Sequence, residues 1–173
     1  MSFRTFSFVS AAALVAAAAT APAQQTKPVG LSVRIGLFWP SSERAKSAGK
    51  NWFAFGVEYK LGDLKFSSRS PGFSSSYSIS ADLFSKGDFR NTPVLVNYIG
   101  RKDNLYYTAG AGIGFTRIRE TASEVETHTE FAYQIGVGYE FLSQNLPLFA
   151  EVKYIGSSDS RLAGFVAFVG VRF

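Results

Sequence analysis

The chain contains no cysteine, so neither a disulfide-stapled module nor a thiolate metal centre is open to it. Histidine is almost missing too: His128 stands alone, leaving little to converge on a metal ion. Past residue 23, no apolar run approaches the roughly 18 residues that a membrane-spanning helix needs, which excludes a helical membrane protein. Charge is modest for a soluble surface, at 18% of residues. The formal excess of +5, or +4 without Arg4, is spread along the chain instead of forming the basic run expected of a nucleic-acid binder.

What is present is strand chemistry: seventeen Phe, eight Tyr and sixteen Gly, with few helix formers in sequence. The N-terminus has a cationic start at Arg4, an apolar run from Phe6 to Ala19, and a small-residue cleavage site at Ala21-Pro22-Ala23. Residues 1–23 are therefore expected to be a secretory signal, and 24–173 a single barrel domain.

Period-two alternation predicts eight strands, at about 30–39, 51–61, 74–84, 92–100, 104–118, 129–142, 147–157 and 162–173. Most reach the roughly 9 to 11 residues with which a tilted strand crosses a bilayer. Arg101-Lys102-Asp103-Asn104 and Ser143-Gln144-Asn145-Leu146 read as tight turns, whereas 40–50 and 119–129 read as longer polar loops. Short turns on one side and longer loops on the other are the asymmetry of an outer-membrane barrel. The segment 61–73 is long for a turn and is compatible with either a loop or a bulged extension of the third strand.

One face of the strands is apolar, with Leu31, Val33, Ile35, Leu37 and Trp39 in the first and Phe131, Tyr133, Ile135, Val137, Tyr139 and Phe141 in the sixth. These rows are expected to face lipid, with aromatics near their ends as interfacial girdles. The opposite parity collects glycine together with Arg34, Glu58, Lys60, Asp82, Glu140, Glu151, Lys153 and Arg172. Four bases and four acids in an interior only just wide enough for side chains predict a salt-bridged, plugged lumen. Counting in from the turns, Arg34, Glu58, Glu140, Glu151 and Lys153 are expected to form one cluster, with glycines as space-makers. The fourth and last strands break the pattern, because Leu95, Ile99, Val166 and Phe168 would also point inward.

Three stretches carry a family resemblance: the closing Gly170-Val171-Arg172-Phe173, the central Pro93-Val94-Leu95-Val96-Asn97-Tyr98, and the Gly-alternating Tyr106-Tyr107-Thr108-Ala109-Gly110-Ala111-Gly112-Ile113-Gly114-Phe115. With them the chain resembles the small eight-stranded outer-membrane barrels typified by OmpX and the OmpA membrane domain, over about residues 30–173. The resemblance implies an all-β, antiparallel, up-and-down transmembrane barrel in the outer membrane of a Gram-negative cell, with both termini periplasmic. It implies too that Phe173, with Val169 and Val171 on the same face, is read by the barrel-insertion machinery. Val171 stands where relatives often carry an aromatic. No peptidoglycan-binding domain is expected after Phe173.

The expected role is non-enzymatic: a monomeric envelope scaffold or surface-contact protein with no cofactor and no metal. Its expected partners are outer-membrane lipids and lipopolysaccharide, whose phosphates Arg44, Lys46, Lys50, Arg117 and Arg119, with Lys86 and Arg90, are placed to meet at the outer rim. One alternative is a lipid A-modifying hydrolase or acyltransferase using His128 with Ser123 or Glu126, a reading that needs nucleophile and base within hydrogen-bond reach. The bland reading of His128 is a solvated loop residue. Another alternative, a secreted lipocalin-like carrier, requires an apolar lumen. Gly110, Gly112 and Gly114 alternate within a strand, so they do not form a phosphate-cradling loop, which needs a following helix.

Overall fold

The computed structural model describes residues 30–64, 72–87, 89–119, 125–141, 147–158 and 163–173. Eight strands form a closed antiparallel barrel in chain order: β1 Leu31–Pro40, β2 Trp52–Asp63, β3 Phe73–Lys86, β4 Phe89–Lys102, β5 Leu105–Arg119, β6 Val125–Phe141, β7 Leu148–Ser157 and β8 Gly164–Arg172. β8 closes on β1 with Arg34 opposite Gly170 and Ile35 opposite Val169. Closure leaves no free sheet edge, a condition for a sheet to sit in lipid. The secretory signal expected at 1–23 lies outside the described residues.

Alternation sets what faces where. Ile135 is 63% exposed and Val96 56%, while Arg34 and Lys153 are each 1% exposed. The molecule is thus apolar outside and ionic inside, the reverse of a soluble barrel. Tyr77, Tyr107, Tyr139 and Phe141 lie on the lipid-facing wall towards the turn end, and Trp39, Phe131, Tyr133 and Phe165 towards the loop end. In β4 and β8 the parity decides between apolar faces: Leu95, Ile99, Val166 and Phe168 are inside.

Three local features differ from the sequence reading. β2 runs on to Asp63 through a bulge between Lys60 and Gly62, so the irregularity before β3 belongs to the second strand. β6 begins at Val125, which makes it 17 residues long and puts His128 in a strand opposite Thr116 instead of in a loop. The segment after β1 holds a short helix, α1 Glu43–Ser47, whose N-cap Ser42 side chain accepts from the Ala45 amide. That helix turns Ala45, 1% exposed, down over the barrel mouth.

Glycines are set between large side chains on the hydrogen-bonded rungs of the interior. One rung reads Asp82, Gly56, Arg34, Gly170, Phe149, Glu140 across β3, β2, β1, β8, β7 and β6. A Cβ on Gly56 would overlap both Asp82 Oδ1 and Arg34 Nε, and one on Gly138 would overlap the Tyr106 ring. Gly56 and Gly138 are thus the floor on which a neighbour's long side chain lies, which is how a narrow barrel is filled. Pro93 has no amide to donate, and the β3–β4 pairing is interrupted beside it, between Ala81–Val94 and Phe84–Asn91, with the register unchanged on either side.

Candidate functional site in the barrel lumen

Three layers fill the lumen. At the loop end Phe38 stacks on Phe84 at 4.6 Å between ring centroids and meets Trp52 at 5.5 Å. Phe168, Ile155, Val166 and Ala45 complete this apolar layer. Trp52 Nε1 donates to the Gly49 carbonyl at 2.9 Å, so the buried indole is satisfied from the loop above. A salt-bridged plug was expected with Leu95, Ile99, Val166 and Phe168 as inward exceptions, and the outer part of the interior proves to be a whole aromatic layer. Five strands build it: the inward rows of β1, β2, β3 and β7 end at this level in Phe38, Trp52, Phe84 and Ile155, and β8 adds Val166 and Phe168.

Beneath it lies the ionic layer, centred on Arg34. Its Nε and Nη2 donate to Asp82 Oδ1 at 2.9 and 2.8 Å, and Nη2 also reaches Oδ2 at 3.0 Å. Nη1 meets Glu58 Oε2 at 2.8 Å and Glu151 Oε1 at 3.5 Å. Lys153 Nζ pairs with Glu151 at 2.8 Å and donates to Gln134 Oε1 at 3.3 Å. Gln134 donates to Asn97 Oδ1 at 2.5 Å, and Asn97 donates to Ser80 Oγ at 2.9 Å. One polar chain therefore crosses the lumen from β3 and β4 through β6 and β7 to β1. Phe168 roofs it, with the Arg34 guanidinium 5.0 Å and the Lys153 ammonium 5.7 Å from its ring centroid.

The third layer, at the turn end, pairs Glu140 with Arg101 and, at 2.8 Å, with Arg172. Both guanidinium groups lie near the Tyr106 ring, at 5.4 Å, and Arg172 is also 5.2 Å from Phe149. Glu140 does not join Arg34, Glu58, Glu151 and Lys153. Glu140 is opposite Phe149, whereas Glu151 is opposite Gly138, one inward step further from the turn. Asp82, which takes two nitrogens of Arg34, was recognisable as inward but not in depth, because the bulge in β2 hides the register of β3. Arg101 reads as a turn residue, yet β4 extends to Lys102 and turns it inward.

At the closing strand, Val169 is exposed on the lipid face opposite Ile35 and Ala150. Val171 is opposite Val33 and Leu148 and lies buried in an apolar furrow of the outer wall with Leu31, Phe55, Val57 and Phe173. The Phe173 amide donates to the Leu31 carbonyl and its own carbonyl accepts from Gly30, both at 2.7 Å, so the last residue is tied to the first strand. At the loop end Lys46 is exposed and paired with Glu43 at 2.7 Å, while Lys50 and Arg117 are exposed. The side chains of Arg44 and Arg119, Ser123 as a whole and the side chain of Glu126 lie outside what is described. No group of three or more His, Cys, Asp or Glu side chains suited to a metal ion occurs among the described residues.

The family described as outer membrane protein beta-barrel domain matches residues 9–173. No curated protein matches the chain. The N-terminal β-barrel domain of Pseudomonas aeruginosa OprF is similar in structure, with a TM-score of 0.50 at 13% identity, covering 85% of this chain and 98% of that one. The outer membrane enzyme PagL gives a TM-score of 0.42 at 12% identity, covering 83% of this chain and 99% of that one. The chain belongs to the outer-membrane protein β-barrel domain family.

Proposed function

We propose that this protein is a non-enzymatic integral component of the cell outer membrane, a monomeric scaffold or surface-contact barrel with its lumen closed. The observation that carries the reading is the filling of the interior at three levels: an aromatic layer, an Arg34-centred ionic layer and the Glu140 pair of arginines. Such an interior has no room for a carrier's apolar ligand. It also keeps Arg34, Glu58, Asp82, Glu140, Glu151 and Lys153 each in contact with an opposite charge, which a water-filled pore does not require. The terminal Val169, Val171 and Phe173 serve insertion, and the cations of the outer rim serve contact with lipopolysaccharide.

Single-channel recording on the purified, refolded protein tests this, with heat-modifiable gel migration as the check that the barrel is folded. The expected result is no stable open conductance. A steady opening in the nanosiemens range would refute a closed lumen.

A further inference from the structure

Arg90 on β4 and Arg117 on β5 stand directly opposite each other on the outward-facing side. Both are exposed, and among the described residues neither has an ion-pair or hydrogen-bond partner. Lys46, Lys60, Arg101 and Arg172, by contrast, each hold a carboxylate. Like charges directly opposite in an antiparallel pair repel, so this rung is destabilising unless an anion sits between them. Thr92 and Phe115 form the next rung towards the membrane, and Thr127 is opposite Arg117 on the other side. Together these side chains line a concavity of about 300 Å³ on the outer wall.

The depth of the site selects the anion. Ile113, Phe115, Phe131 and Tyr133 form the exposed apolar wall that ends beside it. Two residues of strand, about 7 Å, separate Phe115 from Arg117. The guanidinium groups thus lie where lipid phosphates follow acyl chains.

We propose that Arg90 and Arg117, with the Thr92 and Thr127 hydroxyls, clamp a phosphate carried by an outer-leaflet lipid, whose acyl chain lies against Phe115. The proposal rests on the reading of this chain as an outer-membrane barrel. Arginine forks grip two phosphate oxygens at once, and two of them facing one another turn a repulsive rung into a binding site.

The test compares wild type with Arg90→Ala/Arg117→Ala and with the charge-preserving Arg90→Lys/Arg117→Lys, each refolded in detergent and checked for heat-modifiable migration. Native mass spectrometry then reads binding of lipid A, of dephosphorylated lipid A and of inorganic phosphate. Wild type is expected to hold lipid A about tenfold more tightly than its dephosphorylated form, the worth of one charged hydrogen bond. The alanine pair should lose that preference and the lysine pair should keep part of it. Equal binding of the two lipids by wild type overturns the clamp whether or not the variants fold. Inorganic phosphate competing as well as lipid A overturns the lipid source. Absence of heat-modifiable migration in wild type is a separate result, and it strikes the barrel reading itself.

Discussion

Arg34→Met is the sharpest perturbation of the ionic layer. Methionine keeps much of the side chain's length but removes its charge, leaving Glu58, Asp82 and Glu151 with Lys153 as their neighbouring cation. Removing one partner from a buried ion pair costs about 3–5 kcal/mol, because the other charge stays behind without solvent. Arg34 is 1% exposed and serves three carboxylates, so the upper part of that range, about 4–5 kcal/mol, is expected. Urea unfolding in lipid vesicles, followed by Trp39 and Trp52 fluorescence, measures it. Adding Asp82→Asn should recover part of the loss, with a coupling of about 1–3 kcal/mol. A cost below about 1 kcal/mol, with additive effects in the double variant, is the behaviour of a hydrated surface pair and would refute a dry ionic layer.

The same variant separates the layers. Phe38, Trp52 and Phe84 lie on the loop side of Arg34 and pack on one another without contact to its charge. Arg34→Met is therefore expected to weaken the barrel without opening it. Conductance appearing in Arg34→Met alone would mean that the aromatic layer does not seal.

Gly56→Ala should destabilise by about 1–3 kcal/mol, since its methyl would overlap the Arg34–Asp82 pair, whereas Gly114→Ala meets nothing nearer than Ala132 Cβ at 3.4 Å and should be close to neutral in the same unfolding assay. Glu140→Ala leaves Arg101 and Arg172 unpaired, but their side chains are 28% and 19% exposed, so a loss of about 1–2 kcal/mol is expected, smaller than for Arg34. His128→Ala should leave the mass spectrum of cellular lipid A unchanged, and a new lipid A species would favour the hydrolase or acyltransferase alternative.

The strand count and the direction of most side chains could be read from the sequence, because alternation is local: Gly36, Gly56, Gly136 and Gly138 each fall between residues of the lipid-facing rows. Depth could not, because it depends on the stagger between strands. Arg34 and Glu140 share one hydrogen-bonded rung, yet they join different clusters, because the rungs of a tilted barrel climb as they go round it. Where both faces of a strand are apolar, alternation loses its contrast. This hid the aromatic layer, whose Phe168 neighbours the lipid-facing Val169.

That loss of contrast explains why the ionic layer is worth its desolvation. A strand apolar on both faces fits lipid equally well in two registers, so at the loop end nothing in Phe38-Trp39 or Phe168-Val169 forbids a slip by one residue. On β1 the same slip would carry Arg34 from the lumen to the acyl chains, where a cation near the midplane costs about 2–4 kcal/mol before its lost partners are counted. β2, β3 and β7 are pinned likewise by Glu58, Asp82, Glu151 and Lys153. The layer around Arg34 carries one more acid than base, and the layer around Glu140 one more base than acid, so the two clusters together are formally neutral. Neutrality removes the field that would draw water or ions inward, while separate clusters fix register at two depths. A barrel too narrow to conduct thus uses its interior to specify its own closure.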